Sequence, residues 1–408
     1  MTEMKTYDCL IAGAGPIGLA LAVALQQHRI SYCLSGTLPQ DRPNSPDLRT
    51  AALFAGSIRL LERLGIWSAL RDRTAPLAGI RIVDDTGGLL RAPEQLFAAR
   101  DLGLDQIGYN IANPDLVRAL LEKLQSGGPS DGDDAACHDI GATITDVRID
   151  DDAVIATLAD GRQRRARLLI AADGRRSRSR EAARIPVRTW SHDQAAITAH
   201  LTHSLPHEDI STEIHTRQGP CTVVPLGDRR SSLVWMMAPD AAEQLAASDD
   251  DTFRAALEAR LQGVVGTVTS LTPRRTFPLS SLNANRFAAN RTALVGESGH
   301  AFPPIGAQGL NLGLRDAAAL LDHITDALES GVVPGSEQVL SAYSAARQAD
   351  VTARTYGVDA MNVSLSGTVT GLLRGALLHA TTLSPALRRS LLVQGMGPIG
   401  AWPRLMRP

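Results

Sequence analysis

Gly13-Ala14-Gly15-Pro16-Ile17-Gly18 is the stretch on which the fold turns. Cys9-Leu10-Ile11-Ala12 precede it, and Leu19, Ala20, Ala22, Val23 and Leu25 follow. The continuous apolar run predicts a buried strand over 8–12. The later spacing predicts a helix over 17–27 with one apolar face. Ile30 to Leu34 predicts a second short strand, which completes an opening βαβ unit. In such a turn Gly13 permits the bend, Gly15 lets backbone approach a pyrophosphate, and Gly18 lets helix pack on strand. The helix start, where Ile17 follows Pro16 at the first position, offers free N–H groups beyond the proline and a positive dipole end to phosphates. The turn therefore predicts a dinucleotide site. An acidic residue about 20 positions on usually holds the ribose hydroxyls. Ser35 stands there, followed by Gly36. Its hydroxyl is a neutral and weaker partner for that ribose.

Outward from this unit, Ser57 to Leu70 has helical spacing through Ile58, Leu61 and Leu64. Ile80–Asp84 and Leu89-Leu90 predict a hairpin around Thr86-Gly87-Gly88. Asn113 is expected to cap a helix from Pro114 to Leu124. Ser126 to Ala136 is a polar, glycine-containing loop. Strands are predicted over 140–149 and 153–158, with a turn at Asp160-Gly161 and an apolar strand over 168–172. Between about Trp190 and Pro278 the pattern changes to alternation, as in Ala195–Leu201 and Ser231–Met237. That pattern fits a sheet with one exposed face. Thr292 to Val295 restores a buried strand, and Gly309 to Leu328 a long helix.

The length of 408 residues allows a large core and two or three domains. A net charge of −2 and 4% aromatic residues argue against a nucleic-acid binder. Cys9, Cys33, Cys137 and Cys221 form no CxxC pair and no zinc spacing, so no metal is expected. Cys9 and Cys33 fall in strand-like apolar runs and are expected to be buried thiols in a reducing cytosol. The chain opens directly on a strand pattern, so no signal peptide is expected, and no window predicts a spanning helix.

Two further strand-end loops carry glycine and carboxylates. One is Ala172-Asp173-Gly174. The other runs Gly296-Glu297-Ser298-Gly299-His300-Ala301-Phe302-Pro303-Pro304-Ile305-Gly306-Ala307-Gln308-Gly309-Leu310-Asn311-Leu312-Gly313 into the long helix. Its helix start again points N–H groups at an electron-rich ligand. Three such loops together suit one extended ligand with phosphates, a polyol and a ring.

With these loops, the segments Asp47-Leu48-Arg49-Thr50-Ala51-Ala52-Leu53, Gly65-Ile66-Trp67, Gly108-Tyr109-Asn110-Ile111 and Asn113-Pro114-Asp115-Leu116 complete a pattern. The chain resembles the FAD-dependent monooxygenases of the aromatic-hydroxylase type, and within them the ubiquinone-biosynthesis hydroxylases. The resemblance implies an α/β fold. A discontinuous Rossmann-like FAD-binding domain would comprise 1–78, 108–188 and 276–335. A β-sheet-containing substrate domain would comprise 79–107 and 189–275, and a C-terminal helical region 336–408. Gly13, Gly15, Pro16, Ile17 and Gly18 would hold the pyrophosphate, with Ser35 at the ribose and Arg118 near the phosphates. Asp173 and Gly174 would serve FAD and admit the reduced nicotinamide. Residue 297, normally aspartate in the family and here Glu297, would meet the ribityl chain. Pro303 and Gly306 would border the flavin, and backbone N–H groups of Gly309, Leu310 and Asn311 would meet its pyrimidine edge. Arg49 and Pro303 would serve catalysis beside the ring. His300 is either a general base or a loop anchor. Arg315 and Asp316 are read as helix-capping or surface-paired charges.

The implied reaction uses FAD, NAD(P)H or another reductant, and O2. A flavin C4a-hydroperoxide would hydroxylate the aromatic ring of a polyprenylated phenol or quinone precursor in ubiquinone biosynthesis. The protein would have to position the ring and exclude water. Beyond Asp359 no acidic residue follows, while Arg374, Arg388, Arg389, Arg404 and Arg407 occur. Leu365, Val369, Leu372, Leu373 and Ala376 fall on one helical face there. This end either contacts an anionic membrane or packs on the body. The implied location is cytoplasmic, peripheral on the inner face of the membrane, with a quinone-biosynthesis complex as partner. Two alternatives remain at this point: a hydroxylase of a small soluble aromatic compound, and a non-catalytic flavoprotein-like component of such a complex.

Overall fold

The computed structural model describes residues 4–39, 47–87, 93–127, 135–366, 375, 379–398 and 400–408. Strand Thr6–Ala12 (β1) runs through the glycine turn into helix Pro16–Gln27 (α1) and strand Tyr32–Gly36 (β2). β1 pairs in parallel with β2 on one side and with Gln163–Ala171 on the other. Beyond them lie Thr292–Leu294 and, past β2, Ala136–Ile140, both also parallel. Side chains of a strand alternate between faces. Cys9 and Ile11 accordingly join the core under α1, Asn113–Ser126 and Gln308–Glu329. Leu10 and Ala12 join the opposite core, covered by the hairpin Ile144–Ile149 and Val154–Leu158. Both faces are thus buried, which explains the unbroken apolar run at Cys9–Ala12.

A second sheet is mostly antiparallel. Its order runs His300–Ala301, Arg275–Ala284, Val187–His203, Arg230–Met237, Gly219–Pro225, Ile210–Thr216, Gly79–Asp84, Gln95–Ala98. Phe253, Leu257 and Leu261 of helix Asp250–Leu261 fill its covered face. A third, small sheet joins Thr50–Phe54, Gly108–Ala112 and Thr74–Leu77. The fold is α/β, with parallel strands of the first sheet aimed at the three glycine loops.

Several local expectations are corrected. The helix expected over 57–70 is two helices, Ala55–Arg63 and Trp67–Leu70. Gly65 takes a left-handed φ of 68° between them, which ends the first. Asn113 is the first helical residue, not the cap; Ala112 holds the N-cap position and makes no side-chain cap bond. The stretch 140–149 is split between Ala136–Ile140, which pairs with β2, and Ile144–Ile149, which pairs with Val154–Leu158. Gly79–Asp84 pairs with Gln95–Ala98, while Gly88, Leu89 and Leu90 lie outside the described residues. So does 128–134 of the expected loop. Arg275–Ala284 pairs with Val187–His203, so residues 276–284 run in the second sheet and not with the first.

The C-terminal region contains helices Glu337–Ser366 and Pro385–Met396. Val369, Leu372, Leu373, Arg374 and Ala376, and the Leu365 side chain, lie outside the described residues. The end of the chain docks on the body. Trp402 covers Gly56 so closely that a Cβ there would meet its ring at 2.2 Å. No helix among the described residues is long and apolar enough to cross a membrane.

Candidate active site

The glycine turn is pressed onto the end of the neighbouring strand. Gly13 has φ 119°, and a Cβ there would meet the Ala172 carbonyl oxygen at 2.3 Å. Only glycine fits both the backbone angle and that approach. The Gly13 N–H donates to the Ser35 carbonyl at 2.7 Å. Gly18 touches the turn itself: a Cβ there would lie 2.0 Å from the Gly13 oxygen. Gly15 differs, because no heavy atom lies within 4 Å of its Cβ position. It is also the N-cap of α1 and makes no side-chain cap bond. First-turn N–H groups have no intrahelical partner. Open space therefore lies in front of an uncapped helix start.

The late loop repeats this arrangement. Gln308–Glu329 begins after Ala307, which takes φ 53° and makes no side-chain cap bond. Gly309 in its first turn also has nothing within 4 Å of its Cβ position, and Gly174 beside Asp173 is equally open. Ile17 joins the two helix starts. Cβ atoms on Gly296 or Gly313 would each meet its Cδ1 at 2.3 Å. The Ser298 hydroxyl donates to the Ala171 carbonyl at 2.6 Å, and Arg180 Nη1 donates to the Ser298 carbonyl at 2.9 Å. The turns at Gly13, Asp173 and Gly296 are thereby stitched into one wall.

Each residue named from the sequence has a definite place. Glu297 is exposed between buried Gly296 and Ser298. Arg49 binds Asp47 with two side-chain hydrogen bonds of 2.8 Å. Asp47 raises the Arg49 pKa, and the nearby Glu297 charge adds to this. Arg49, Pro16, Pro39, Asn113, Pro114 and Val117 line a small cleft. Arg118 does not line it; this residue is exposed and pairs with Asp115 at 3.6 Å. Pro303 is buried at the loop's bend and Gly306 takes φ 65°. Leu310 is half-buried. The Asn311 side chain is fully engaged. Its oxygen accepts from Phe54 N–H at 3.0 Å and Ser57 at 2.7 Å, and its amide donates to the Ala52 and Ala307 carbonyls. Asn311 thus ties the loop to the small sheet, leaving only its backbone for a ligand.

Two polar residues turn inward. Ser35 is buried, its hydroxyl 3.8 Å from Cys33 Sγ. The Asp173 carboxylate accepts from the Ser177 hydroxyl and from Ser179 N–H at 3.1 Å. Both serve the wall, not the open space.

Arg315 and Asp316 are corrected outright: both are buried, in a charge network that crosses to helix Glu337–Ser366. Asp316 accepts from Gly296 N–H at 2.9 Å and Arg347 Nε at 2.7 Å, and pairs with His300 Nε2 at 2.6 Å. Arg315 and Arg347 both donate to Asp350, at 2.8 and 3.1 Å, and Arg354 joins it at 3.1 Å. Burial raises the Asp316 pKa, but His300 and Arg347 outweigh it and hold the carboxyl below its usual range. His300 is 2% exposed and stacks near Phe302. Its place is that of a loop anchor, with no open face for a general base. Sequence reasoning missed Arg180, Arg347, Asp350 and Arg354, which belong to no short motif. It also missed His200, whose Nε2 lies 2.8 Å from the Leu48 carbonyl and links the second sheet to the Arg49 loop.

The wall fits a flavin dinucleotide. Two uncapped helix starts face open space, one where phosphates would lie and one where a ring edge would accept hydrogen bonds. Comparison with known proteins agrees. A family model described as FAD binding domain matches residues 6–383. The chain is 34% identical to a ubiquinone hydroxylase, UbiL, of Rhodospirillum rubrum, over 99% of this chain and 93% of that one. It is 29% identical to the 3-demethoxyubiquinol 3-hydroxylase of Escherichia coli, over 97% of this chain and 100% of that one. Among solved structures, p-nitrophenol 4-monooxygenase PnpA of Pseudomonas putida DLL-E4 has the same fold. The TM-score is 0.77 at 18% identity, covering 97% of this chain and 99% of that one.

Proposed function

The chain belongs to the FAD-binding domain family, and from that premise we propose an FAD-dependent hydroxylase of ubiquinone biosynthesis, acting on the ring of a polyprenylated phenol or quinone precursor. The observation that carries this reading is the pair of uncapped helix starts locked together by Ile17. Bound FAD supplies the redox chemistry: reduced by NAD(P)H or another donor, it activates O2 for insertion into the ring.

The chain's own residues bind, orient and enclose. Gly13, Gly15 and Gly18 form the phosphate cradle, with the α1 dipole favouring negative charge. Backbone N–H groups of Gly309, Leu310 and Asn311 meet the pyrimidine edge. Exposed Glu297 is the carboxylate for the ribityl hydroxyls. Arg49, clamped by Asp47, keeps a positive charge beside the ring. Pro303 lies in the loop that the His300–Asp316 pair anchors, where it would border the ring and exclude water. Asp173 acts through the loop it caps, and Ser35 supports the turn through its backbone carbonyl, which accepts from Gly13. The ribose then lacks the usual acidic partner.

The experiment that tests the reaction is deletion of the gene, followed by identification of the accumulated quinone intermediate. A precursor lacking one ring hydroxyl is expected; an unchanged quinone profile overturns the assignment. The small-substrate alternative predicts tight NADPH coupling on a hydrophilic phenol instead.

Membrane contact through the C-terminal region is part of the same proposal, now narrowed. Arg388 is paired with Asp101 and Arg404 with Asp326. Leu383 and Val393, 85% and 53% exposed, and exposed Arg389 remain. Flotation with anionic liposomes is expected to fall when Leu383, Arg389 and Val393 are replaced together by serine. Equal flotation removes the membrane role.

A further inference from the structure

Cys33 and Cys137 lie directly opposite each other on β2 and the parallel strand Ala136–Ile140. Their sulfurs and one Asp139 carboxylate oxygen all fall within 4.8 Å of one another. Both thiols reach Asp139 Oδ2, at 3.5 and 3.6 Å. These are ligand types for a soft metal. The carboxylate is already occupied, however. Arg162 donates to it at 2.6 Å, and Arg164 twice, at 2.7 and 2.9 Å. Two guanidinium groups repel a cation, and Arg164 favours a thiolate at Cys137. Neighbouring strands lie about 4.8 Å apart, inside the Cα range of about 4.4–6.8 Å for a disulfide.

We propose that Cys33 and Cys137 are an oxidation site: hydrogen peroxide converts them to a disulfide, and the linked protein holds FAD more weakly. The source of the peroxide, uncoupled turnover, rests on the functional reading above; the thiol chemistry does not. Cys137 is half-buried and Cys33 fully buried, so Cys137 meets the oxidant first. The Cys33 thiol at its side holds Cys137 down, to about 7, while contact with Cys137 pushes Cys33 up.

The Cys137 thiolate attacks one peroxide oxygen. An S–O bond forms, the O–O bond breaks, and the departing hydroxide leaves as water with the thiol's proton. Cys33 sulfur then attacks the Cys137 sulfenic sulfur. The S–S bond forms, the S–O bond breaks, and the hydroxyl leaves as water with the Cys33 proton. Each sulfur loses one electron, and peroxide is reduced to two waters.

The consequence for FAD follows from the end of β2. Ser35, two residues beyond Cys33, accepts the Gly13 N–H at 2.7 Å. Gly36 abuts the turn so tightly that a Cβ would meet the Ala14 nitrogen at 2.6 Å. Forming the S–S bond turns the Cys33 side chain out of its contact with the Ser35 hydroxyl, 3.8 Å away, and so disturbs this support of the cradle.

The test uses purified FAD-loaded protein titrated with hydrogen peroxide, alkylated and digested with and without reduction. A Cys33–Cys137 linked peptide is expected, with Cys9 and Cys221, both fully buried, recovered as free thiols. The FAD dissociation constant should rise on the order of tenfold and return with dithiothreitol. Cys137→Ser should show neither effect. Cys33→Ser should leave a dimedone-reactive sulfenic acid at Cys137. Absence of the linked peptide, or a linked protein with unchanged FAD affinity, overturns the proposal. A chain inert towards quinone precursors yet linked by added peroxide overturns the functional reading alone.

Discussion

At the scale of single residues, Gly15 and Asp316 are the positions whose replacement separates cofactor binding from folding. Gly15→Glu fills the open cradle and sets a negative charge against phosphates. Its purified protein is expected to be colourless, with an unchanged thermal midpoint for the apo form; a yellow, stoichiometric variant sinks the assignment of the turn. Asp316→Asn leaves Arg347 facing a neutral amide in a buried site. Breaking a buried pair costs about 3–5 kcal/mol, so the denaturant midpoint should fall even without FAD. An unchanged midpoint would mean that the network is already compensated. The difference between these residues also marks what the sequence could reveal. Gly13, Gly15 and Gly18 act through backbone shape, which a short motif encodes. Asp316 acts through Arg347, 31 positions on, and adjacent Arg315 and Asp316 look like any surface helix pair. Ser35 and Asp173 sit where a motif expects them, but their side chains turn to Cys33 and Ser177. Motif position specifies the backbone better than the rotamer.

Among the elements, α1 and Gln308–Glu329 depend on one contact, Ile17 against Gly296 and Gly313. Gly313→Ala would place a methyl 2.3 Å from Ile17 Cδ1. Overpacking of this kind costs about 1–3 kcal/mol, more than the helix propensity gained. Ile17→Val removes the clashing atom, so the double variant should regain most of the loss. Chemical denaturation of the four proteins measures the coupling; strictly additive losses would refute the wedge. The apolar runs of these elements made them legible, since period and caps agree. The small sheet was not. Thr50-Ala51-Ala52-Leu53-Phe54 has no strand-like alternation and leads directly into a helix. Thr74–Leu77 contains Pro76. Only the partner strand Gly108–Ala112, far along the chain, makes either a strand.

For the whole molecule, burial leaves a signature in acid. It lowers the pKa values of His138, His200, His203, His207 and His323 below the ordinary 6.5. Below 6.5 the unfolded chain binds protons that the folded chain refuses, until the depressed values are reached. Stability is therefore complete above that pH and is lost as pH falls through the window. The thermal midpoint should drop as pH falls below 6.5, and less steeply in His200→Gln. A midpoint that is flat or rises on acidification contradicts this. The assembly of the wall has another consequence, one of timing. Its strands come from the first 36 residues, from Gln163–Ala171 and from Thr292–Leu294. During synthesis the glycine turn must wait for the last of these. At roughly 5–20 residues per second, that is about 14–55 s after the turn leaves the ribosome. Early in that interval Ala136–Ile140 and Gln163–Ala171 cover the two edges of the β1–β2 ribbon, but the Leu169–Ala171 edge has no partner strand until Thr292–Leu294 arrives, which marks it as the surface a chaperone should grip.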